Sequence, residues 1–332
     1  MSAPLLHRRC PELAGSLPFL RLGEAPTPVR RLTGLGTRAG VWVKDESGYG
    51  DGGWGGNKVR KLEWLLPEAR RRGARTILTV GGLGTHWGLA VARYARELGL
   101  GVALGLIDQP VDAHVRAQLE RLRASGATLH FLRTRTRLVL AAPWLFARHA
   151  HGLALPYYLP AGGSSPHGTL GAVEIALELG AQVEAGELPE PAWLMTAVGS
   201  GGTAAGLALG LRLAGLRTRV LGVVVNDTLR LDSAALLGLT RRTTDLLRAR
   251  GADLDGAVPG PDAIRLETAW LGDGYAHPTA AGDRALDRAS ARAGLELERT
   301  YTAKAFAALL DLDAAGRLDG GPVVFLQTHG PR

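Results

Sequence analysis

Short apolar runs alternate with longer amphipathic segments along most of the chain, and glycine-rich turns join them. Residues 76–80 read as a buried strand and 83–98 as a helix. The unit repeats as a strand at 102–107 with a helix at 111–125, then a strand at 128–132 with a helix at 139–150. A fourth strand is expected at 153–159 and a helix at 170–179, after Gly162-Gly163. The strand 193–198 feeds a glycine turn, the helix 204–213 and the strand 220–225; a helix at 303–312 and a strand at 323–327 close the chain. Strand–helix alternation with short connections implies parallel βαβ units and an α/β class. In such sheets ligands sit at the carboxyl ends of the strands, where these glycine turns fall. The 332 residues are enough for one large or two medium domains.

The net charge of +8 raises nucleic acid as a partner. The arginines are dispersed, however, and the densest runs, Arg70-Arg71-Arg72 and residues 133–137, read as a helix end and a loop. No nucleic-acid partner is expected. A single cysteine, Cys10, excludes disulfides and Cys-based metal sites within the chain, and no His or carboxylate spacing suggests a metal. No apolar stretch approaches the ~20 residues that span a bilayer, and no secretory signal is evident. A cytoplasmic protein without a membrane partner is the expectation.

Among 39 basic side chains only Lys44, Lys58, Lys61 and Lys304 are lysines. A neutral primary amine forms a Schiff base and a guanidinium does not, so a lysine kept against this bias is a candidate for covalent chemistry. Base composition of the genome would produce the same bias with no functional meaning. Lys58 stands at a glycine-led helix start, a poor place for a cation beside the positive end of the helix dipole. Lys61, one turn on, reads as a solvated cation paired with Glu68 or a nearby acid. A second feature is Gly199-Ser200-Gly201-Gly202-Thr203, between a strand and a helix. Its amides and hydroxyls suit a phosphate, although tight turn geometry alone would also call for glycine. A third is Gly84-Thr85-His86-Trp87-Gly88, again at a helix start, where a hydroxyl is commonly an N-cap.

Gly55-Gly56-Asn57-Lys58-Val59-Arg60-Lys61-Leu62-Glu63, Gly199-Ser200-Gly201-Gly202-Thr203 and Tyr301-Thr302-Ala303-Lys304-Ala305 resemble the D-cysteine desulfhydrase and 1-aminocyclopropane-1-carboxylate (ACC) deaminase family. Its members are pyridoxal 5'-phosphate enzymes of fold type II, the tryptophan synthase β-like superfamily. The likeness runs from Pro26 to Thr328. It implies a two-domain α/β protein with the cofactor in the cleft between them. Residues 1–50 with 161–332 would form the larger, cofactor-binding domain, and 51–160 the smaller domain carrying Lys58. It also implies a homodimer acting on a small amino acid.

By the same resemblance Lys58 is the Schiff-base lysine and proton carrier, with Asn57 beside it at the cofactor. Gly199, Ser200, Gly201, Gly202 and Thr203 bind the cofactor phosphate. Thr85 lies near the substrate carboxylate, and His86 replaces an asparagine that hydrogen-bonds the cofactor's phenolic oxygen. Tyr275, in Gly272-Asp273-Gly274-Tyr275, and Tyr301 are active-site tyrosines, and Thr328 neighbours the pyridine nitrogen. A neutral hydroxyl there would not keep that nitrogen protonated, which suits β-elimination. Residues 84–88 depart most from the family pattern. Thr302 stands where ACC deaminases tend to carry glutamate. Expulsion of a β-substituent is therefore expected, with ACC ring opening, β-replacement, racemisation or a catalytically weakened cofactor binder as alternatives.

Overall fold

Strands that are buried on both faces must be apolar throughout, and such strands form the centres of two sheets here, with less buried strands at the edges. The computed structural model describes residues 3–50, 55–254 and 256–329. Its elements in chain order are α1 (Leu5–Arg9), β1 (Val29–Arg31), β2 (Val41–Asp45), α2 (Asn57–Arg71), β3 (Thr76–Gly82), α3 (His86–Glu97), β4 (Gly101–Ile107), α4 (Ala113–Ala124), β5 (Thr128–Arg133) and α5 (Arg135–Arg148). There follow β6 (Tyr157–Leu159), α6 (Pro166–Glu184), β7 (Trp193–Val198), α7 (Gly202–Leu213), β8 (Arg219–Val224), α8 (Ser233–Ala249), β9 (Ile264–Glu267), α9 (Ala280–Ala293), α10 (Thr302–Ala314) and β10 (Val323–Gln327).

One sheet has the order β1-β2-β10-β7-β8-β9 and the other β5-β4-β3-β6. All neighbours are parallel except β1, which runs against β2. β10 is central: Phe325 lies between Val43 of β2 and Met195 of β7. Its ring meets Phe306 of α10 edge-on, at 5.1 Å between centroids. Burying each such side chain contributes about 1.5–3 kcal/mol.

The expected strand–helix order is present, with shifted boundaries. Residues 133–137, expected as a loop, end β5 and open α5, because the Thr134 hydroxyl accepts from the Arg137 N–H at 3.2 Å and caps the helix. The expected strand 153–159 shrinks to Tyr157–Leu159. Before it, His151 and Ala154 bridge across a tight turn that leaves Leu153 fully exposed. The helix α8 was not expected. Its buried face carries Thr240, Thr243 and Thr244, whose hydroxyls return to the carbonyls of Leu236, Leu239 and Thr240. Threonines on a core face blur the apolar period that reveals a helix.

A buried ionic cluster ties β2, α2 and α6 together. Lys44 pairs with Glu178 and donates to the Thr27 carbonyl and Gln182 Oε1, each at 2.8 Å. Arg60 bridges Glu46 (2.9 and 3.0 Å) and Glu178 (3.0 Å) and lies 3.7 Å from the Tyr49 ring centroid. Two cations thus face two carboxylates. The balance is needed because an unpaired buried charge costs several kcal/mol. This cluster fixes the start of α2, one turn from Lys58.

Candidate active site

The turn into α2 is held from below by β10. Gly56 has φ +52°, and a Cβ there would strike the Thr328 carbonyl oxygen. That close approach lets the Asn57 N–H donate to the same oxygen at 3.4 Å. The side chain of Asn57 donates from Nδ2 to Thr203 Oγ1 at 3.2 Å. Lys58 is therefore fixed between the end of β10 and the first turn of α7. Its Nζ lies 6.0 Å from the centroid of the Tyr301 ring.

Tyr301 in turn lies on the turn 199–203. A Cβ on Gly199 would stand 2.6 Å from its Cε1, so the ring requires glycine there. Glu298 fixes Tyr301 from behind: its Oε1 accepts from the N–H groups of Tyr301 (2.5 Å) and Thr302 (2.8 Å). The two hydroxyls of Tyr275 and Tyr301 are 2.6 Å apart. Burial raises the pKa of both phenols, Tyr301 well above the ordinary range, so neither supplies a phenolate near neutral pH. The loop bearing Tyr275 is held by Lys304, whose Nζ donates to the carbonyls of Leu271 (2.6 Å) and Gly274 (3.2 Å).

Around the glycine turn, Ser164 donates its hydroxyl to Ser200 Oγ at 2.9 Å and accepts from the Gly202 N–H at 3.0 Å. Gly162, whose Cβ would meet Ser200 Oγ, presents its carbonyl to Lys61 Nζ at 2.9 Å. Lys61 is thus no solvated cation. It is buried beside this turn, and Glu68 is engaged by Arg71 and Arg72 instead. Burial, with the like charge of Lys58 adding to it, lowers its pKa to about 7.

On the side of α3, the Thr85 hydroxyl accepts from the Gly88 N–H at 3.1 Å as an N-cap, leaving its own hydrogen to donate. Trp87 turns inward, donates to Thr79 Oγ1 at 2.9 Å and lies on Gly163. It packs into the core. His86 turns its ring nitrogens to Gln118 (Nε2–Nδ1 2.8 Å) and His114 (Nε2–Nε2 3.0 Å).

Residues 20–328 match the family of pyridoxal-phosphate dependent enzymes. The chain belongs to that family. It is 32% identical to the D-cysteine desulfhydrase of Salmonella paratyphi A over 324 residues, covering 94% of each protein. It is 31% identical to that of Salmonella newport over the same length. Among solved structures it is similar to an ACC deaminase homologue, with a TM-score of 0.82 at 26% identity, covering 99% of this chain and 95% of that one. The processed form of threonine deaminase isoform 2 from Solanum lycopersicum shares the fold, with a TM-score of 0.65 at 16% identity, covering 99% of this chain and 85% of that one.

In this pyridoxal-phosphate dependent enzyme the structure brings Lys58, Asn57, Thr203, Gly199, Tyr301, Tyr275 and Thr328 into one chain of contacts. Sequence reasoning missed Ser164, and it left Lys304 and Glu298 without a place at the site. Ser164 follows Gly162-Gly163 at the end of a strand, the same signal that drew notice at Gly199. Lys304 reaches carbonyls of a distant loop and left no local pattern, whereas Glu298 binds N–H groups only two to four residues on, an acid before a helix start that the sequence does carry. Among the described residues no helix is long and apolar enough to cross a membrane.

Proposed function

We propose that this enzyme eliminates the β-substituent of a small amino acid, in the manner of a D-cysteine desulfhydrase, releasing a keto acid, ammonia and the leaving group. The observation that carries the proposal is Thr302. A carboxylate at this position would act beside Tyr301, but Thr302 is buried and its hydroxyl accepts from the Glu298 N–H at 2.8 Å. Glu298, the acid nearest by, is directed at the backbone of residues 300–302.

The residues present fit the cofactor. Lys61 is a buried ammonium whose charge is disfavoured where it stands, beside a turn of amides and hydroxyls. A phosphate dianion there would supply the counter-charge, held by the amides of residues 199–203, the hydroxyls of Ser200, Ser164 and Thr203, and Lys61. Lys58 would carry the cofactor and move the proton at the substrate's Cα. Bound pyridoxal phosphate supplies the electron sink for bond breaking at that carbon. Thr85 would donate to the substrate carboxylate. Tyr275 and Tyr301, both protonated, would orient the substrate and donate hydrogen bonds to it. Thr328 would offer a neutral hydroxyl to the pyridine nitrogen. Residues 1–50 with 161–332 would form one unit and 51–160 the other, with the cofactor between them.

The test is keto acid and sulfide release from D- and L-amino acids by the purified, cofactor-loaded enzyme. Release from D-cysteine, with ACC left intact, is the expected result. Keto acid from none of the panel would overturn the proposal in favour of a cofactor binder without lyase activity.

A further inference from the structure

The segment 84–88, which departs most from the family pattern, leads into a cluster of three imidazoles. His86 opens α3, His114 lies in the first turn of α4, and His329 follows β10. The His86 and His114 rings stack, with centroids 5.1 Å apart and planes at 26°. His329 meets His86 edge-on at 4.7 Å. His86 and His114 follow the carboxyl ends of β3 and β4 in one sheet and His329 that of β10 in the other, the ends of parallel strands where ligands bind. His86 adjoins Thr85. His329 adjoins Thr328, whose carbonyl receives the N–H of Asn57, the residue before Lys58.

The hydrogen-bond directions within the cluster are determined by Arg121. It donates to Gln118 Oε1 at 2.9 Å, so the Gln118 amide turns its NH₂ toward His86 Nδ1. Neutral His86 then carries its hydrogen on Nε2 and donates to His114 Nε2 at 3.0 Å. With that nitrogen protonated, a metal ion is disfavoured at the pair. Neutral His114, accepting at Nε2, carries its own hydrogen on Nδ1, and an anion beside the pair receives that N–H.

We propose that His86, His114 and His329 receive an anionic β-substituent of the substrate, a tetrahedral oxyanion such as a phosphate or sulfate ester or an S-sulfonate. The proposal rests on the elimination chemistry above. For a phosphate ester, the Cα proton passes to Lys58, the Cβ–O bond breaks and the phosphate leaves with the bonding pair. Water then supplies the keto oxygen as ammonia departs, so one water is consumed for each keto acid, ammonia and phosphate released. The departing group gains negative charge as the bond breaks, and the imidazole donors stabilise it in the transition state.

The test compares O-phosphoserine with β-chloroalanine, both hands of each, in the cofactor-loaded wild type and in His114→Gln. His114 is exposed, so the substitution does not endanger the fold. The ratio of kcat/KM for O-phosphoserine over β-chloroalanine is expected to fall about tenfold or more in the variant, the loss of one hydrogen bond to a charged group. An unchanged ratio overturns the proposal, as does turnover of β-chloroalanine with none of O-phosphoserine. If neither is turned over, the elimination chemistry itself fails. The anion site is then judged by histidine imidazole NMR shifts as O-phosphoserine is added. Shifts in the wild type that vanish in His114→Gln support it, and their absence in the wild type overturns it.

Discussion

Lysine persists here at positions where an ammonium fits and a guanidinium does not. Lys61 Nζ reaches one carbonyl in a buried niche, Lys44 sits among three partners, and Lys304 Nζ spans two loop carbonyls. A planar, longer head would displace the neighbours of each. Lys58 differs, because its proposed task is covalent. Lys58→Arg keeps the charge, and the protein should fold, yet keto acid release should drop to background and the visible absorbance of bound cofactor should vanish. An arginine variant that still absorbs in the visible would disprove the assignment. Lys304→Met should leave the Leu271 and Gly274 carbonyls unpaired, costing about 1–3 kcal/mol in thermal or urea unfolding. It should also raise KM, because Tyr275 loses the anchor of its loop.

At the scale of elements, α2 is the strut that joins Lys58 to the rest of the fold. Its Arg60 and the neighbouring Lys44 neutralise Glu46 and Glu178 out of contact with water. Lys44→Met removes one cation and leaves Glu178 undercompensated, so urea unfolding should show a loss of about 3–5 kcal/mol. Adding Glu178→Gln should recover part of that loss, whereas two independent sites would simply add. None of this cluster was legible in the sequence, because its members lie up to 155 residues apart and share no local pattern. The parallel strands were legible for the opposite reason. Strands such as β4 and β10 are buried on both faces and read as continuous apolar runs, independent of what they meet. Boundaries were less so, since caps such as Thr134 act through one hydrogen bond that composition does not reveal.

At the scale of the whole molecule, the candidate site lies where β3, β7 and β10 end; its glycine turns and Lys58 stand out in the sequence, while the contacts that hold them do not. Lys61 shows why. Its spacing from Lys58 is that of a surface neighbour, and the packing of α6 and residues 161–163 against α2 buries it. That burial gives the molecule a pH signature in the cofactor-free form. Lys61 titrates near 10.5 when unfolded and about 7 when folded. Between those values the unfolded chain holds a proton that the folded chain lacks, so this group's contribution to stability rises with pH, by at most about 1.4 kcal/mol per unit. It is fully present above 10.5 and lost as pH falls through 7. Glu63, two residues on, has the opposite sign. Burial raises its carboxyl from 4.5 to about 7, although Tyr49 and the Leu22 N–H donate to it. Its contribution is full below 4.5 and is lost as pH rises through 7. The two together place a stability minimum near neutrality. Urea unfolding of the cofactor-free protein from pH 5 to 9 should show it. Lys61→Met should flatten the rise above pH 7, and Glu63→Gln the fall below it. Pyridoxal phosphate should flatten the upper arm in the wild type, because its dianion restores the Lys61 charge. Curves for Lys61→Met that run parallel to the wild type above pH 7 would show that Lys61 keeps its ordinary charge in the fold, and would remove it from the phosphate site.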